Sequence, residues 1–160
     1  PLSEGCLWIP YYYVLGYSGT DVEAAKATAN YETYGVLYNQ PAVMTDDICP
    51  SGWHVPSDGE FTQLIDFLGG QSVAGYSMKS TSGWYNNGNG SNSSGFTGLP
   101  GGQRSNNNGF QNLEFLGYWW TSESGSGTSS WRRQISNYYV TVHRNVGSWS
   151  AGMSARCVQD

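Results

Sequence analysis

The segment from Trp131 to Asp160 constrains this chain more than any other, because it obeys a period of two. Trp131, Ile135, Val140 and Val142, and later Met153, Ala155 and Cys157, recur at alternate positions, with a change of phase near Tyr138-Tyr139. Successive strand residues point to opposite faces, so this spacing predicts a sheet with those residues turned inward. Arg132, Gln134, Ser136, Thr141, His143 and Asn145 then point the other way. That second face mixes donors, acceptors, charge and rings with no packing logic. It reads as a binding surface that the rest of the chain holds still.

The chain has 160 residues and no break in composition, which predicts one domain over 1–160. Within it, 1–30 reads as an N-terminal extension and 131–160 as the candidate ligand-binding segment. The hydrophobic fraction is only 38%, but seven Trp, twelve Tyr and five Phe bury large areas each, so few residues suffice for a core. Twenty-two Gly, with many Ser and Asn, point to a loop-rich fold rather than a helical bundle. The formal net charge is -5 and the largest basic cluster is the pair Arg132-Arg133, which argues against a nucleic-acid partner. No apolar run approaches the roughly 18 residues that cross a bilayer. The chain starts at Pro1 with neither a Met nor a signal-peptide pattern, so a targeting segment or anchor is expected upstream.

Cys6, Cys49 and Cys157 show no metal-ligand spacing. The composition suits an exported protein, in which a Cys49–Cys157 disulfide could persist. Three buried, reduced thiols fit the sequence as well.

Along the chain, Pro10 to Tyr17 has strand propensity, Asp21 to Ala27 suits a short helix capped by Thr20, and Tyr34 to Tyr38 reads as a buried strand. The sharpest local signal is central. Ser57 and Glu60 have the spacing of a capping box, Val55 and Phe61 that of a hydrophobic staple. Phe61, Leu64, Ile65 and Leu68 form a helical stripe, and Gly69-Gly70 stops it. Residues 83–109 are almost all turn formers, anchored by Trp84, Phe96, Leu99 and Phe110, and read equally as a ligand-ordered loop or as a pinned connection. Gly117 to Ser122 then starts a strand, and Gly125-Ser126-Gly127 turns it into Trp131.

Four motifs carry a family likeness: Ile48-Cys49-Pro50-Ser51-Gly52-Trp53-His54-Val55-Pro56-Ser57-Asp58, Gly95-Phe96 leading to Leu99-Pro100-Gly101-Gly102-Gln103-Arg104, Tyr118-Trp119-Trp120-Thr121-Ser122, and Ala155-Arg156-Cys157-Val158. Over roughly 31–160 the chain resembles the major paralogous domain family first named in Fibrobacter. That family is similar to the formylglycine-generating-enzyme branch of the C-type lectin fold. The likeness implies an α+β domain with short helices, a twisted antiparallel sheet and a long loop region, in an exported, often lipid-anchored surface protein of anaerobic gut-type bacteria. The C-terminal segment also resembles variable proteins served by diversity-generating retroelements, in which framework and diversified positions alternate. On that likeness Trp131, Arg133, Ile135, Val142, Arg144 and Gly152 to Val158 are framework. Arg132, Gln134, Ser136, Tyr138, Tyr139, Thr141, His143, Asn145, Gly147, Ser148 and Trp149 are the diversified set.

Chemistry beyond binding finds little support. His54 and His143 belong to no recognisable catalytic set, and no phosphate loop exists. Gln40-Pro41-Ala42 lacks the carboxylate of a calcium-dependent sugar motif, and Asp46-Asp47 reads as a solvated turn, so no metal and no cofactor is expected. The expectation is therefore a non-enzymatic, surface-displayed recognition or adhesion domain for a protein or glycan. Its ligand residues are Arg132, Gln134, Ser136, Tyr138, Tyr139, Thr141, His143, Asn145, Ser148 and Trp149, a mixture of rigid aromatic and adaptable polar groups like that of antibody paratopes. The alternatives are a formylglycine-generating-like enzyme and a structural module of a surface assembly.

Overall fold

A computed structural model describes residues 9–45, 47–107 and 109–160; Cys6 and Asp46 lie outside the described residues. The first third comprises β1 (Tyr12–Tyr13), α1 (Val22–Lys26), α2 (Ala29–Tyr34), β2 (Leu37–Tyr38) and α3 (Gln40–Val43). β3 (Trp53–His54), α4 (Asp58–Phe67) and α5 (Ala74–Met78) follow. A loop region with one 3-10 turn at Tyr85–Asn87 leads to β4 (Gln103–Arg104) and β5 (Phe110–Gln111). The last third holds β6 (Leu116–Ser124), β7 (Ser129–Ser136), β8 (Val142–Ser148) and β9 (Val158–Gln159).

This is an α+β arrangement whose strand pairs are all antiparallel. Instead of one sheet there is a three-stranded sheet β6-β7-β8 with three two-stranded ribbons, β1-β2, β3-β9 and β4-β5. The turn-forming residues between the ribbons leave each strand only two residues long. Several expectations shift accordingly. The strand expected over Pro10 to Tyr17 shrinks to β1. Tyr34 closes α2, and Gly35 at φ 68° breaks the chain before β2. Asp21, not Thr20, caps α1, its Oδ1 accepting from the Ala24 amide at 3.0 Å.

α4 forms as its sequence predicts. Ser57 Oγ accepts from the Glu60 amide at 3.1 Å, and Glu60 Oε2 accepts from the Ser57 amide at 2.8 Å. Phe61 and Ile65 are buried, Leu64 and Leu68 flank them, and Gly69 and Gly70 stop the helix at positive φ. The Val55–Phe61 staple does not form. Val55 packs in the cluster around Trp120, whereas Phe61 packs in the one around Trp119.

Those two tryptophans show how the core is split. Adjacent on β6, they point to opposite faces of the central sheet. Trp119 joins Phe61, Ile65, Met78, Trp84, Phe96, Ile135 and Val142. Trp120 joins Val43, Val55, Tyr118, Ala151 and Met153, and its Nε1 donates to the Tyr38 carbonyl at 2.8 Å. Gly147 is required beneath it, since a Cβ there would sit 2.8 Å from the Trp120 ring and the Met153 methyl. The loop is pinned at Trp84 and Phe96: Trp84 Nε1 donates to Ser80 Oγ and to the Gly98 carbonyl, and the Phe96 ring meets Trp119 edge-on at 5.2 Å.

Cys49 and Cys157 are joined in a disulfide beside the β3–β9 ribbon. The same ribbon carries an ionic latch. His54 Nδ1 lies 2.6 Å from Asp160 Oδ1, and Nε2 lies 2.8 Å from Glu60 Oε1. The hydrogen bonds to Asp160 and then Glu60 raise the His54 pKa above its ordinary 6.5. The Ser57 amide, and less strongly His54 itself, lower Glu60 below 4.5. The histidine contribution is complete below pH 6.5 and is lost as pH rises through the raised value. The glutamate contribution is complete above pH 4.5 and is lost as pH falls through the lowered one. Stability from the latch should therefore plateau between these values, and His54→Gln should abolish the alkaline-side fall in Tm. Identical Tm–pH curves for H54Q and the parent protein would disprove the latch.

Candidate functional site

The alternation of β7 assigns its side chains to two environments. Trp131, Arg133 and Ile135 face α4, together with Val142, Arg144 and Val146 of β8 opposite them. Here Asp58 holds two arginines: Arg133 Nη2 is 2.9 Å from Oδ1, and Arg144 Nε donates to Oδ2 at 2.8 Å. Arg133 Nη2 also donates to the Asp58 carbonyl at 2.7 Å and to Thr62 Oγ1 at 2.8 Å. The Arg144 guanidinium lies 3.4 Å from the centre of the Trp131 ring. These two arginines tie the sheet to α4.

On the opposite face, register builds two rows. Gln134 lies between Tyr118 and His143, and Arg132 between Trp120 and Asn145. Residues directly opposite in such a sheet have Cβ atoms about 5 Å apart, so each row is one contiguous surface. The rows differ in exposure. Chain returning through Ala151 and Met153 covers Trp120, and Arg132 is drawn under it. Its guanidinium lies over the Tyr118 ring at 4.6 Å and donates to Gln103 Oε1 at 3.1 Å. Burial pushes the Arg132 pKa below its ordinary value. Arg132 is thus a bracket between sheet and β4 more than a free contact.

The hairpin turn between β7 and β8 presents Tyr138 and Tyr139, 66% and 65% exposed. Main-chain contacts fix this turn. Lys79, itself buried, donates from Nζ to the Ser136 and Tyr139 carbonyls at 3.3 and 3.4 Å. The Gly75 amide donates to the Val140 carbonyl at 2.8 Å, and a Cβ on Gly75 would come within 2.5 Å of that oxygen. The Asn137 amide donates to the Phe115 carbonyl at 2.9 Å. Beside the turn, Phe115 stacks on Tyr85 with ring centres 4.5 Å apart, both exposed. An aromatic corner thus adjoins the polar rows.

The structure separates the ten candidates. Gln134, Tyr138, Tyr139, Thr141, His143 and Asn145 are exposed or half-buried, and their side chains make no hydrogen bond to a described residue. From Thr141 to Asn145 this strip runs about 14 Å, at roughly 3.4 Å per strand residue. Arg132 borders it. Ser136, Ser148 and Trp149 do not belong to it, contrary to expectation. Ser136 is buried, with its Oγ accepting from the Tyr138 amide. Ser148 lies at the far end of β8, with its Oγ 3.1 Å from that of Ser150. Trp149 is turned inward and donates from Nε1 to Ser130 Oγ at 2.9 Å, because the chain reverses straight after β8. Val140, expected inward, is exposed.

Four participants escaped the sequence reading. Gln103 stands in the Leu99–Arg104 motif, but nothing local ties it to Arg132. Lys79 carries a faint signal as an isolated cation beside apolar residues. Tyr85 and Phe115 meet only through tertiary packing. Three cavities, of about 610, 390 and 260 Å³, are lined by none of the strip residues. Among the described residues no group of three or more His, Cys, Asp or Glu could hold a metal ion, and no helix is long and apolar enough to cross a membrane.

Residues 15–159 match the family model described as the Fibrobacter succinogenes major domain. No curated protein and no solved structure matches the chain.

Proposed function

The chain belongs to the Fibrobacter succinogenes major domain family, and from that premise we propose that it is a surface-displayed recognition domain with a C-type lectin-like fold. It binds a protein or glycan through the outer face of β7-β8 and the hairpin tip. One observation carries the reading: six neighbouring side chains capable of hydrogen bonding, two of them exposed tyrosines, make no hydrogen bond to a described residue. A chain that pairs Arg133 with Asp58 and satisfies the Trp84 indole internally leaves this group unspent. Tyrosine and adaptable polar groups together are the palette of adaptable recognition surfaces. A strip of exposed and half-buried side chains along a sheet face suits a macromolecular partner. Retroelement-driven diversification of these positions, and export to the cell surface, belong to the same proposal.

Changing Tyr138, Tyr139 and His143 together to Ala tests it. Exposed substitutions of this kind cost within about 0.5 kcal/mol each, so the fold should persist. Retention on a printed array of extracellular proteins and glycans should fall by at least about a hundredfold, as for loss of clustered aromatic hot spots. Retention equal to that of the parent protein would place recognition elsewhere. Sedimentation of both proteins at high concentration separates ligand capture from self-association through the same face.

A further inference from the structure

We propose that the cavity between the N-terminal tyrosines and β4 binds a pyranose sugar bearing a carboxylate, at a site distinct from the β7-β8 face. This cavity measures about 610 Å³, room for one or two sugar rings. Its wall includes Tyr11, Tyr13, Tyr17, Tyr31, Arg104 and Phe110. Tyr11 and Tyr13, two apart across β1, lie nearly parallel at 17° with centres 6.2 Å apart, and form a broad aromatic panel.

Three features of the lining select the ligand. Aromatic faces pack against the C–H face of a sugar ring as they do against any apolar surface. The hydroxyls of Tyr11, Tyr13, Tyr17 and Tyr31 make no hydrogen bond to a described residue, which leaves four groups able both to donate and to accept. A polyhydroxylated ring uses such groups, whereas an aromatic acid would leave them unsatisfied. The third feature is charge. Arg104 is held by main-chain bonds in both directions with Gly152, each 2.8 Å, so its Cα is fixed. Its guanidinium lies 4.2 Å from the Tyr13 ring centre and has no carboxylate partner among the described residues.

An arginine held on a ring face with its fork of donors unspent suits bidentate capture of a carboxylate. Of the two cations in the cavity lining, Lys26 is already paired with Glu23 at 3.2 Å, which leaves the Arg104 guanidinium for a ligand. The Arg104 guanidinium, rather than any net charge of the lining, is what favours an anion here. The tyrosines supply the ring contact and Arg104 the acid contact.

The experiment is an amide-shift NMR titration of the whole chain with digalacturonic acid and, in parallel, with neutral methyl galactopyranoside. Saturable shifts with the acid should map to Tyr11 through Thr20, Arg104 and Phe110. Arg104→Gln should weaken that binding about tenfold, the order expected for a charged hydrogen bond, with Tm unchanged. Tyr17→Phe, which removes only a hydroxyl, should weaken it about threefold and guards against a folding artefact in the arginine variant. The inference is overturned by no saturable shift up to roughly 10 mM, a generous ceiling for a single-ring site. It is equally overturned by equal affinity for the neutral sugar, or by an R104Q protein that binds the acid as the parent does.

Discussion

Asp58→Ala is expected to destabilise the domain by about 3–5 kcal/mol, because it strands a buried cation. Arg133 is 3% exposed and Asp58 12% at the side chain, so neither charge is well served by water in the folded state. With the carboxylate gone, Arg133 keeps only the Asp58 carbonyl and Thr62 Oγ1 as acceptors. The Arg133–Asp58 contact at 2.9 Å is close in distance, yet Oδ1 has no aligned hydrogen bond. The pair is therefore held by charge more than by hydrogen-bond geometry, which places the loss toward the lower end of that range. Arg144 adds little, since it is 42% exposed and water already screens it. Urea unfolding should show a lower midpoint with an unchanged slope. A loss below about 1 kcal/mol would mean that Arg133 finds water or another acceptor in the variant. Arg133→Met combined with Asp58→Leu should recover much of the loss, because an apolar pair of similar volume avoids desolvation altogether.

Reduction of the Cys49–Cys157 bridge, or its replacement by two alanines, should cost about 4–5 kcal/mol on the chain-entropy account. The bridge joins residues 108 apart in sequence, so it closes a loop over most of the 160-residue chain. Added thiol reductant should lower the urea midpoint of the parent protein and leave the double-alanine variant unaffected. Equal midpoints for the parent with and without reductant would show that the crosslink constrains little. The β3–β9 ribbon next to the bridge has only two residue pairs and should open more readily once the bridge is reduced.

Local patterns explain the parts of this molecule that the sequence made legible. The capping box and stripe of α4 depend on residues within one helix, and they formed in place. The alternation of β7 likewise sorted Ile135 and Gln134 onto opposite faces. Misplaced residues were decided at long range. Trp149 looked like an exposed aromatic until its indole met Ser130, nineteen positions earlier. Arg132 alternated outward as predicted, but returning chain at Met153 and Gln103 covered that part of the face. Period two can say which side of a sheet a residue takes; it cannot say what else will cover that side. The β1–β2 ribbon and the cavity beside it rest on pairings between short segments rich in tyrosine, where propensity carries no register.

The way the hairpin tip is held has a consequence for its inheritance. Lys79, Gly75 and Phe115 grip carbonyls and an amide of residues 136–140, while the side chains of Tyr138, Tyr139 and Thr141 contribute no hydrogen bond to the grip. A turn clamped by its peptide groups is indifferent to the identity of the residues that it displays. Mutations at those three positions are thus insulated from selection on folding, and a lineage can rewrite the tip freely provided that Lys79 and Gly75 stay as they are.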